Sequence, residues 1–301
     1  MSQHHERVAV LMGGWTAEAS VSRVSGSFCG QAARNAGWDA IEIEVDRDIS
    51  ATLAEFKPNR VFNALHGKIG EDGNIQGLLN IMNIPYTHSG LTASAIAMDK
   101  VLAKSMLAGC GIMVPPTLPL TEDTHVYPKN FRGAHVIKPL NEGSSVNVYI
   151  CNKKNINKIL NGLRNYKKIL IEEFIGGREI QVAIMGNTKL GAIELKPKRK
   201  FYDYKAKYNS SAKTEHIIPV NLSKKKLSQI MNMALKAHKV IGCKGVTRSD
   251  FKYYQGKFFL LEINTQPGMT KLSLVPEIAE HKGINFLKLI EWILKDASTK
   301  R

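Results

Sequence analysis

Two carboxylates and an amide near the C-terminus have the side-chain types of a magnesium-nucleotide site. Asp250, Glu262 and Asn264 lie on two apolar runs that flank the turn signal Gln255-Gly256. Runs rich in Phe, Tyr, Leu and Ile predict the strands of a β-hairpin, in which side chains alternate between two faces. Hard oxygen ligands on neighbouring strands suit Mg²⁺, which completes its octahedral coordination with water and substrate phosphates.

Arg248 belongs to the same set, because period-two alternation places it on one face with Asp250. A guanidinium beside a metal would meet negative charge that develops during a reaction. The alternative is a surface hairpin whose polar residues face water, and for any single residue this is the better interpretation. The combination of Glu262 and Asn264 with Pro267-Gly268 directly after them favours a site.

A glycine-rich segment from residue 66 to 77 predicts an anion-binding turn. It follows a strand pattern and opens a helix pattern. Its glycines allow the backbone to approach a ligand closely, and free N–H groups at the helix start favour an anion. His66, Glu71 and Asp72 are the polar residues of this turn, although Asp72 is also a candidate N-cap.

The elements that must position these residues belong to an α/β protein. Up to about residue 90 the chain alternates strand and helix patterns, which predicts βαβ units and a parallel sheet. One helix is predicted over residues 92–108, and Pro115-Pro116 is a candidate linker to a smaller α/β unit. The third part holds the hairpin. Its irregular polar stretch, about residues 200–213, is expected to form a mobile lid.

Length and composition bound the class of protein. With 301 residues and 44% hydrophobic content, the chain can form two or three domains with real cores. No apolar run approaches the roughly 20 residues of a membrane span, and no signal peptide is evident, so we expect a cytoplasmic protein without membrane contact. The four cysteines are far apart and are expected to be buried free thiols.

Charge is distributed unevenly, because residues 1–150 carry a formal charge of −2 and residues 151–301 carry +18. A basic half can bind nucleic acid, attract nucleotides or reflect a lysine-rich composition. Most lysine runs lie on predicted solvent-facing helices, and only residues 196–204 mix charge with aromatics. We expect no nucleic-acid partner; the alternative, a nucleic-acid-binding module, predicts salt-sensitive binding without ATP.

Seven motifs in order resemble the D-alanine–D-alanine ligase family of the ATP-grasp superfamily. They are Gly13-Gly-Trp-Thr-Ala-Glu18, His66-Gly-Lys-Ile-Gly-Glu-Asp-Gly73, Met98-Asp-Lys100, Ile137-Lys-Pro139, Glu142-Gly-Ser-Ser145, Phe201-Tyr-Asp-Tyr-Lys-Ala-Lys-Tyr208 and Leu261-Glu-Ile-Asn-Thr-Gln-Pro-Gly-Met-Thr270. The resemblance covers nearly the whole chain. It implies a three-domain ATP-grasp architecture: an N-terminal parallel-sheet, Rossmann-like domain (1–95) and two α+β ATP-grasp subdomains, a central lid (96–178) and a catalytic domain (179–301).

The resemblance also implies an activity, the ATP-dependent formation of D-alanyl-D-alanine for peptidoglycan. One D-alanine carboxylate attacks the γ-phosphate of ATP, and the second D-alanine's amine captures the acyl phosphate. The cofactors would be ATP and two Mg²⁺ ions, with Mn²⁺ as a substitute, and the assembly a homodimer. The alternative is an ATP-grasp ligase with D-serine or D-lactate as acceptor, but the tyrosine pattern at Tyr208 favours an amine.

Roles for individual residues follow from the same resemblance. Metal binding falls to Asp250, Glu262 and Asn264, with Glu262 bridging two ions. Catalytic roles fall to Glu18, Ser144, Tyr208, Arg248 and Gly268. D-Alanine would contact Glu18, His66, Ser273 and Leu274. ATP would contact Lys100, Lys138, Ser145, Glu172, Phe174, Ile175, Glu179 and Lys207.

Five positions depart from the usual pattern of the family: Trp15, Ala19, His88, Thr247 and Gln266. None of them is an inferred metal or phosphate ligand. The departures therefore bear on affinity and fine specificity rather than on the type of reaction.

Overall fold

Three β-sheets with helices packed on their faces make up the described part of the chain. A computed structural model gives the structure of residues 4–121, 133–140, 147–152, 154–163, 165–166, 168–196, 214–270 and 273–301. None of the helices in these ranges is long and apolar enough to cross a membrane. The α/β class predicted from the sequence is confirmed.

The first sheet is parallel, as the alternation of strand and helix patterns predicts, and its strand order is β2-β1-β3. Its strands are β1 (His4–Met12), β2 (Trp38–Glu44) and β3 (Arg60–Asn63), and its helices are α1 (Ala19–Asn35), α2 (Ile49–Phe56) and α3 (Asn74–Ile81). The Gly13-Gly14 turn follows β1 and the glycine-rich segment follows β3. Because the strands are parallel, both turns lie at the carboxyl edge, where ligands bind in such sheets.

The second sheet is antiparallel, with the strand order β4-β7-β5-β6. Helix α6 (Ile156–Gly162) packs on it, and Ile137, Leu160 and Ile169 share their core. The strands are β4 (Thr117–Thr121), β5 (His135–Pro139), β6 (Tyr149–Cys151) and β7 (Lys168–Glu173). Strands β5 and β7 are neighbours, so residues at their ends can meet across the sheet.

The third sheet is also antiparallel, in the order β10-β9-β8-β11-β12. Its strands are β8 (Arg178–Met185), β9 (Thr188–Lys196), β10 (Glu215–Ile217), β11 (Val246–Tyr254) and β12 (Lys257–Asn264). The helices of this part are α7 (Lys224–Ile241), α8 (Leu274–His281) and α9 (Phe286–Asp296). The predicted hairpin is thus the edge pair β11 and β12 of a larger sheet.

The prediction of a single helix over residues 92–108 is wrong. This segment forms two helices, α4 (Leu91–Met98) and α5 (Lys100–Gly109), separated by Asp99. Asp99 has extended backbone angles, and its carboxylate accepts hydrogen bonds from the backbone N–H groups of Val101 and Leu102, both at 3.0 Å. An Asp that caps a new helix in this way ends the previous one. The break makes Lys100 the first residue of α5.

Apolar packing joins the first and third sheets into one core. Val8 and Phe62 of the parallel sheet belong to the same buried cluster as Val246 of β11 and Leu289 and Ile290 of α9. A second cluster packs α4, α5 and α7 on the other face of the third sheet. The carboxyl edge of the parallel sheet and the hairpin are therefore held at a fixed separation.

His88, one of the five departures, lies buried next to the turn before β11. Its φ is +66°, and its backbone packs so closely against Gly245 that a Cβ there would lie 2.8 Å from the His88 Cα. Burial, with a smaller contribution from the charge of Arg301, lowers the pKa of His88 to about 3. Its imidazole is therefore neutral in the folded protein at neutral pH.

This buried histidine predicts a loss of stability in acid. Between pH 6.5 and about 3 the unfolded chain binds a proton at His88 that the folded protein does not bind, so stability falls as pH falls. From pH 7 to pH 4 this group should cost roughly 3 kcal/mol of unfolding free energy. His88→Asn, which tolerates positive φ, should remove that part of the loss in urea titrations at both pH values. An unchanged difference between the two pH values would contradict the prediction.

Candidate functional site

The strand register of the hairpin brings the predicted metal ligands together. Asp250 pairs with Glu262 and Arg248 pairs with Asn264 across β11 and β12. The turn residues Gln255 and Gly256 both have positive φ, at 47° and 76°, which matches a two-residue hairpin turn. The predicted hairpin and its shared faces are confirmed.

Asp250 and Arg248 form a bidentate ion pair. The Nε and Nη2 atoms of Arg248 donate to the two Asp250 oxygens at 2.7 and 3.0 Å, and Asp250 is buried. Two parallel charge-assisted bonds fix the guanidinium plane. Arg248 is therefore held in orientation by a carboxylate that is itself a predicted metal ligand.

The donors at the hairpin fit a hard divalent cation in type. Within the described ranges, no group of three or more His, Cys, Asp or Glu side chains is placed to hold a metal ion. A cation between Asp250 and Glu262 would therefore also take the oxygen of Asn264, water and phosphate oxygens, which is how Mg²⁺ is usually bound. Asn264 Oδ1 is oriented by the backbone N–H of Gln266 at 2.8 Å.

Opposite the hairpin lies a buried cluster of lysines around one carboxylate. Lys138 of β5 donates from Nζ to Oε1 of Glu172 on β7 at 2.7 Å. Lys104 of α5 donates to the other oxygen, Oε2. Lys100 lies one helical turn before Lys104 on α5, and all four side chains are buried. The predicted ATP ligands Lys100, Lys138 and Glu172 thus meet in one place.

The charges of this cluster are coupled to the hairpin. Burial lowers the pKa of Lys100, against the attraction of Glu262, and lowers that of Lys104 to about 8, against Glu172. Burial also acts to lower the pKa of Lys138, but the charges of Glu172 and Glu262 raise it overall. Burial opposes ionisation of Glu172 as well, yet Lys138 and Lys104 lower its pKa. The carboxylates that attract these three ammonium groups are Glu172, Glu262 and, at Lys100, also Glu71. The ammonium groups are donors of the type that binds phosphate.

Glu18 lies against the glycine-rich segment. A Cβ on Gly67 would come within 2.2 Å of Glu18 Oε2, so this carboxylate occupies space that only glycine leaves open. Gly67 also has a φ of +70°. The hydroxyl of Thr16 donates to the backbone carbonyl of His66 at 3.3 Å. The segments of Glu18 and His66, which are 48 positions apart in sequence, are therefore brought close together.

His66 is the middle of a short polar chain. Its Nε2 lies 3.0 Å from the Ser25 hydroxyl and its Nδ1 lies 3.4 Å from a Glu71 oxygen. Both ring nitrogens are thereby engaged, and the ring is fixed in orientation. Ser25 of α1 was not a candidate from sequence, because no local spacing links it to His66.

A buried amide network connects this loop to the hairpin. Asn63 Nδ2 donates to the Gly70 carbonyl at 3.0 Å and to Gln266 Oε1 at 3.3 Å, and Gln266 Nε2 donates to the Asn63 carbonyl. The Gly70 carbonyl also accepts from Gln76 Nε2 at 2.7 Å. Since the Gln266 backbone orients Asn264, the network ties the glycine-rich segment to a candidate metal ligand.

The remaining described candidates lie at the two ends of this region. Phe174 and Ile175 follow β7, and Glu179 of β8 pairs with Lys252 of β11 at 2.9 Å. Ser273 is the N-cap of α8, and its hydroxyl oxygen accepts a hydrogen bond from the Thr270 N–H at 2.9 Å. A Cβ on Gly268 would lie only 3.0 Å from the same oxygen. Leu274 is buried in the core, so only its backbone can serve a ligand.

Two family models match the chain: D-ala D-ala ligase C-terminus over residues 121–295 and D-ala D-ala ligase N-terminus over residues 44–89. The first match alone spans more than half of the chain. This chain belongs to the D-alanine–D-alanine ligase family.

Individual members of the D-alanine–D-alanine ligase family match nearly the whole chain. The ligase of Pelagibacter ubique is 56% identical over 98% of this chain and 99% of its own length. That of Zymomonas mobilis is 46% identical over 97% and 94%. A crystal structure of the Bacillus anthracis ligase superposes with a TM-score of 0.86 at 30% identity over 97% of both chains, and one complexed with ATP at 0.83.

Four of the residues assigned by the family resemblance lie outside the described residues: Ser144, Ser145, Lys207 and Tyr208. The predicted lid at about residues 200–213 lies there as well. For the described candidates, the ligase-family roles stay predictions. The proximity of Lys100, Lys138 and Glu172, and the pairing of Asp250 with Glu262, are findings. Lys104 was missed, although its i,i+4 spacing from Lys100 places the two lysines on one face of a helix.

The Gln266 network predicts a measurable loss of stability. Gln266→Ala leaves the Asn63 amide and carbonyl buried with fewer partners, which should lower the free energy of unfolding by about 1–3 kcal/mol. Urea denaturation measures this difference. Gln31→Ala, at an exposed position of α1, is the matched control and should change stability little. Equal effects of the two substitutions would mean that the network contributes nothing.

Proposed function

We propose that this chain catalyses the ATP-dependent joining of two D-alanine molecules to D-alanyl-D-alanine, a precursor of peptidoglycan. The observation that carries the proposal is 56% identity with a D-alanine–D-alanine ligase over 98% of the chain. The buried lysine cluster supports it, because phosphoryl transfer is catalysed largely by positioning and by charge stabilisation.

The first step would be attack of a D-alanine carboxylate on the γ-phosphate of ATP, with ADP as the leaving group. Lys100 and Lys138 would hold the phosphates, while Phe174, Ile175 and Glu179 line the nucleotide pocket. Magnesium ions held by Asp250, Glu262 and Asn264 would neutralise phosphate charge when bound, and Mn²⁺ would be a substitute. The lysines are already buried, so their charge would act on the phosphates with little screening by water.

The second step would be attack of the second D-alanine's amine on the acyl phosphate, with phosphate leaving. Glu18 and His66 would hold the first D-alanine's ammonium group. Arg248, fixed by its bidentate pair with Asp250, would meet the oxyanion of the tetrahedral intermediate together with the Gly268 backbone. Ser144, Lys207 and Tyr208 would contribute to closing the site, and closure would exclude water.

The acceptor carboxylate would dock at the start of α8. Ser273 is the N-cap residue of this helix, its side chain makes no capping hydrogen bond and Leu274 is the first helical residue, so backbone N–H groups there would be available to an anion. We further infer the domain division 1–95, 96–178 and 179–301, a homodimer, and a cytoplasmic location where ATP is available. Neither nucleic acid nor a membrane would be a partner.

ADP release with Mg-ATP tests the proposal across D-alanine, L-alanine, D-serine and D-lactate, with mass detection of the product. Turnover with D-alanine, giving the dipeptide, is the expected result. ADP release that requires D-serine or D-lactate as acceptor would move the substrate within the same mechanism. No D-alanine-dependent ADP at high substrate and Mg²⁺ would refute the proposal.

A further inference from the structure

Glu172 has a lysine on each of its carboxylate oxygens. Lys138 donates to Oε1 at 2.7 Å, and Lys104 donates to Oε2. The exposed fractions of the Lys104 and Glu172 side chains are both 5%, and that of Lys138 is 10%. A carboxylate this deeply buried needs at least one charged partner to stay ionised.

The two lysines sit on different parts of the fold. Lys138 belongs to β5 of the second sheet, two residues before Leu140, where this stretch of described residues ends. Lys104 belongs to α5, which Ala103 and Leu107 anchor in the core of the third sheet. Lys104 therefore reaches Glu172 from a helix held by a separate core. It can keep its bond to Oε2 while Lys138 changes partner.

We propose that Lys104 is a positioning residue that holds Glu172 ionised and fixed in rotation while Lys138 turns to a nucleotide phosphate. The inference rests on the proposed function. Once Lys138 leaves, Oε1 has lost its donor, and a buried oxygen without a donor is unfavourable. Glu172 is a predicted ATP ligand, so the amino group of a bound adenine would supply that donor, and Lys104 would determine which oxygen is presented to the base.

The arrangement makes Lys104 a determinant of base selectivity. An ionised carboxylate accepts a hydrogen bond from an amino group and repels a carbonyl oxygen. Adenine carries an amino group at position 6, where guanine carries a carbonyl. A site that is built to pair with one polar group discriminates strongly against its replacement by the opposite type. When Lys104 holds Glu172 ionised, the nucleotide site therefore favours ATP over GTP.

Steady-state kinetics of Lys104→Met and Lys104→Arg test the role. The Met variant keeps the length of the side chain without its charge and should raise the KM for ATP about tenfold. Its KM for D-alanine should stay within about twofold, and its preference for ATP over GTP should fall by a similar factor of about ten. The Arg variant keeps the charge and should recover part of both the KM and the preference. Lys295→Met, at an exposed lysine paired with Glu291, is the control and should change neither.

Two results would overturn the inference. One is an unchanged KM for ATP and an unchanged ATP-to-GTP ratio in Lys104→Met. The other is an equal rise in both Michaelis constants without rescue by Lys104→Arg, which indicates a purely structural residue. If the wild-type enzyme released no ADP with D-alanine, the proposed function would fail instead. Calorimetric binding of ATP and GTP to the same variants would then still decide the role of Lys104.

Discussion

Glu262→Gln is expected to lower kcat by about three orders of magnitude, equal to roughly 4 kcal/mol of transition-state stabilisation. Glutamine keeps the shape of the side chain but removes the negative charge that lies opposite Asp250 on the neighbouring strand. That charge also attracts the buried ammonium groups of Lys100 and Lys138. A neutral amide is also a weaker ligand for a hard divalent cation. ADP release at saturating ATP and D-alanine, over a range of Mg²⁺ concentrations, measures the effect.

The same substitution at Glu291 is the control for Glu262→Gln. Glu291 is a surface carboxylate of α9 paired with Lys295, and its change should leave kcat unaltered. Thermal unfolding of both variants separates lost chemistry from lost folding. If folded Glu262→Gln kept a kcat within tenfold of the wild type, the hairpin would not carry the catalytic charge.

Glu172→Leu is expected to lower the free energy of unfolding by about 3–5 kcal/mol, because it leaves two buried ammonium groups without their shared counter-ion. The substitution is close in volume, so cavity formation adds little. Removal of one buried lysine in the double variant Lys104→Met/Glu172→Leu should recover part of the loss. Urea denaturation at pH 7 measures the free energies of unfolding of the wild type, the single variant and the double variant.

The neighbouring residue provides a matched control for Glu172. Glu173 lies on the opposite face of β7 and is exposed, so Glu173→Leu should change stability by less than about 1 kcal/mol. Equal destabilisation at positions 172 and 173 would show that the lysine cluster is not what makes Glu172 important. A double variant less stable than Glu172→Leu alone would contradict the same point.

Local patterns in the sequence were sufficient for the parallel sheet and the hairpin. Period-two apolar runs around Gln255-Gly256 locate both strands, and the side chains on one face of each strand follow from the same periodicity. The turn residues have the positive φ that such hairpins require. Regular register from this turn would place Asp250 opposite Leu261. A β-bulge between Asp250 and Phe251 shifts the pairing so that Asp250 lies opposite Glu262, and this bulge does not follow from the periodicity.

Contacts between distant segments could not be predicted in this way. Gln266 and Asn63 are separated by 203 positions, and Lys104 and Glu172 by 68, so no periodicity links them. The break at Asp99 was missed because the apolar pattern continues through it, whereas the structure uses its carboxylate as a cap. The short strands β4 and β10 form because neighbouring strands pair with them.

The most direct test of the central claim uses D-alanine labelled with ¹⁸O in its carboxylate, with mass analysis of both products of one reaction. Attack of the carboxylate on ATP transfers one labelled oxygen to phosphorus, and release of phosphate carries it away from the dipeptide. We expect D-alanyl-D-alanine together with inorganic phosphate that contains one ¹⁸O atom. Dipeptide with unlabelled phosphate would contradict the acyl-phosphate route, and labelled or unlabelled phosphate without dipeptide would contradict the ligase activity itself.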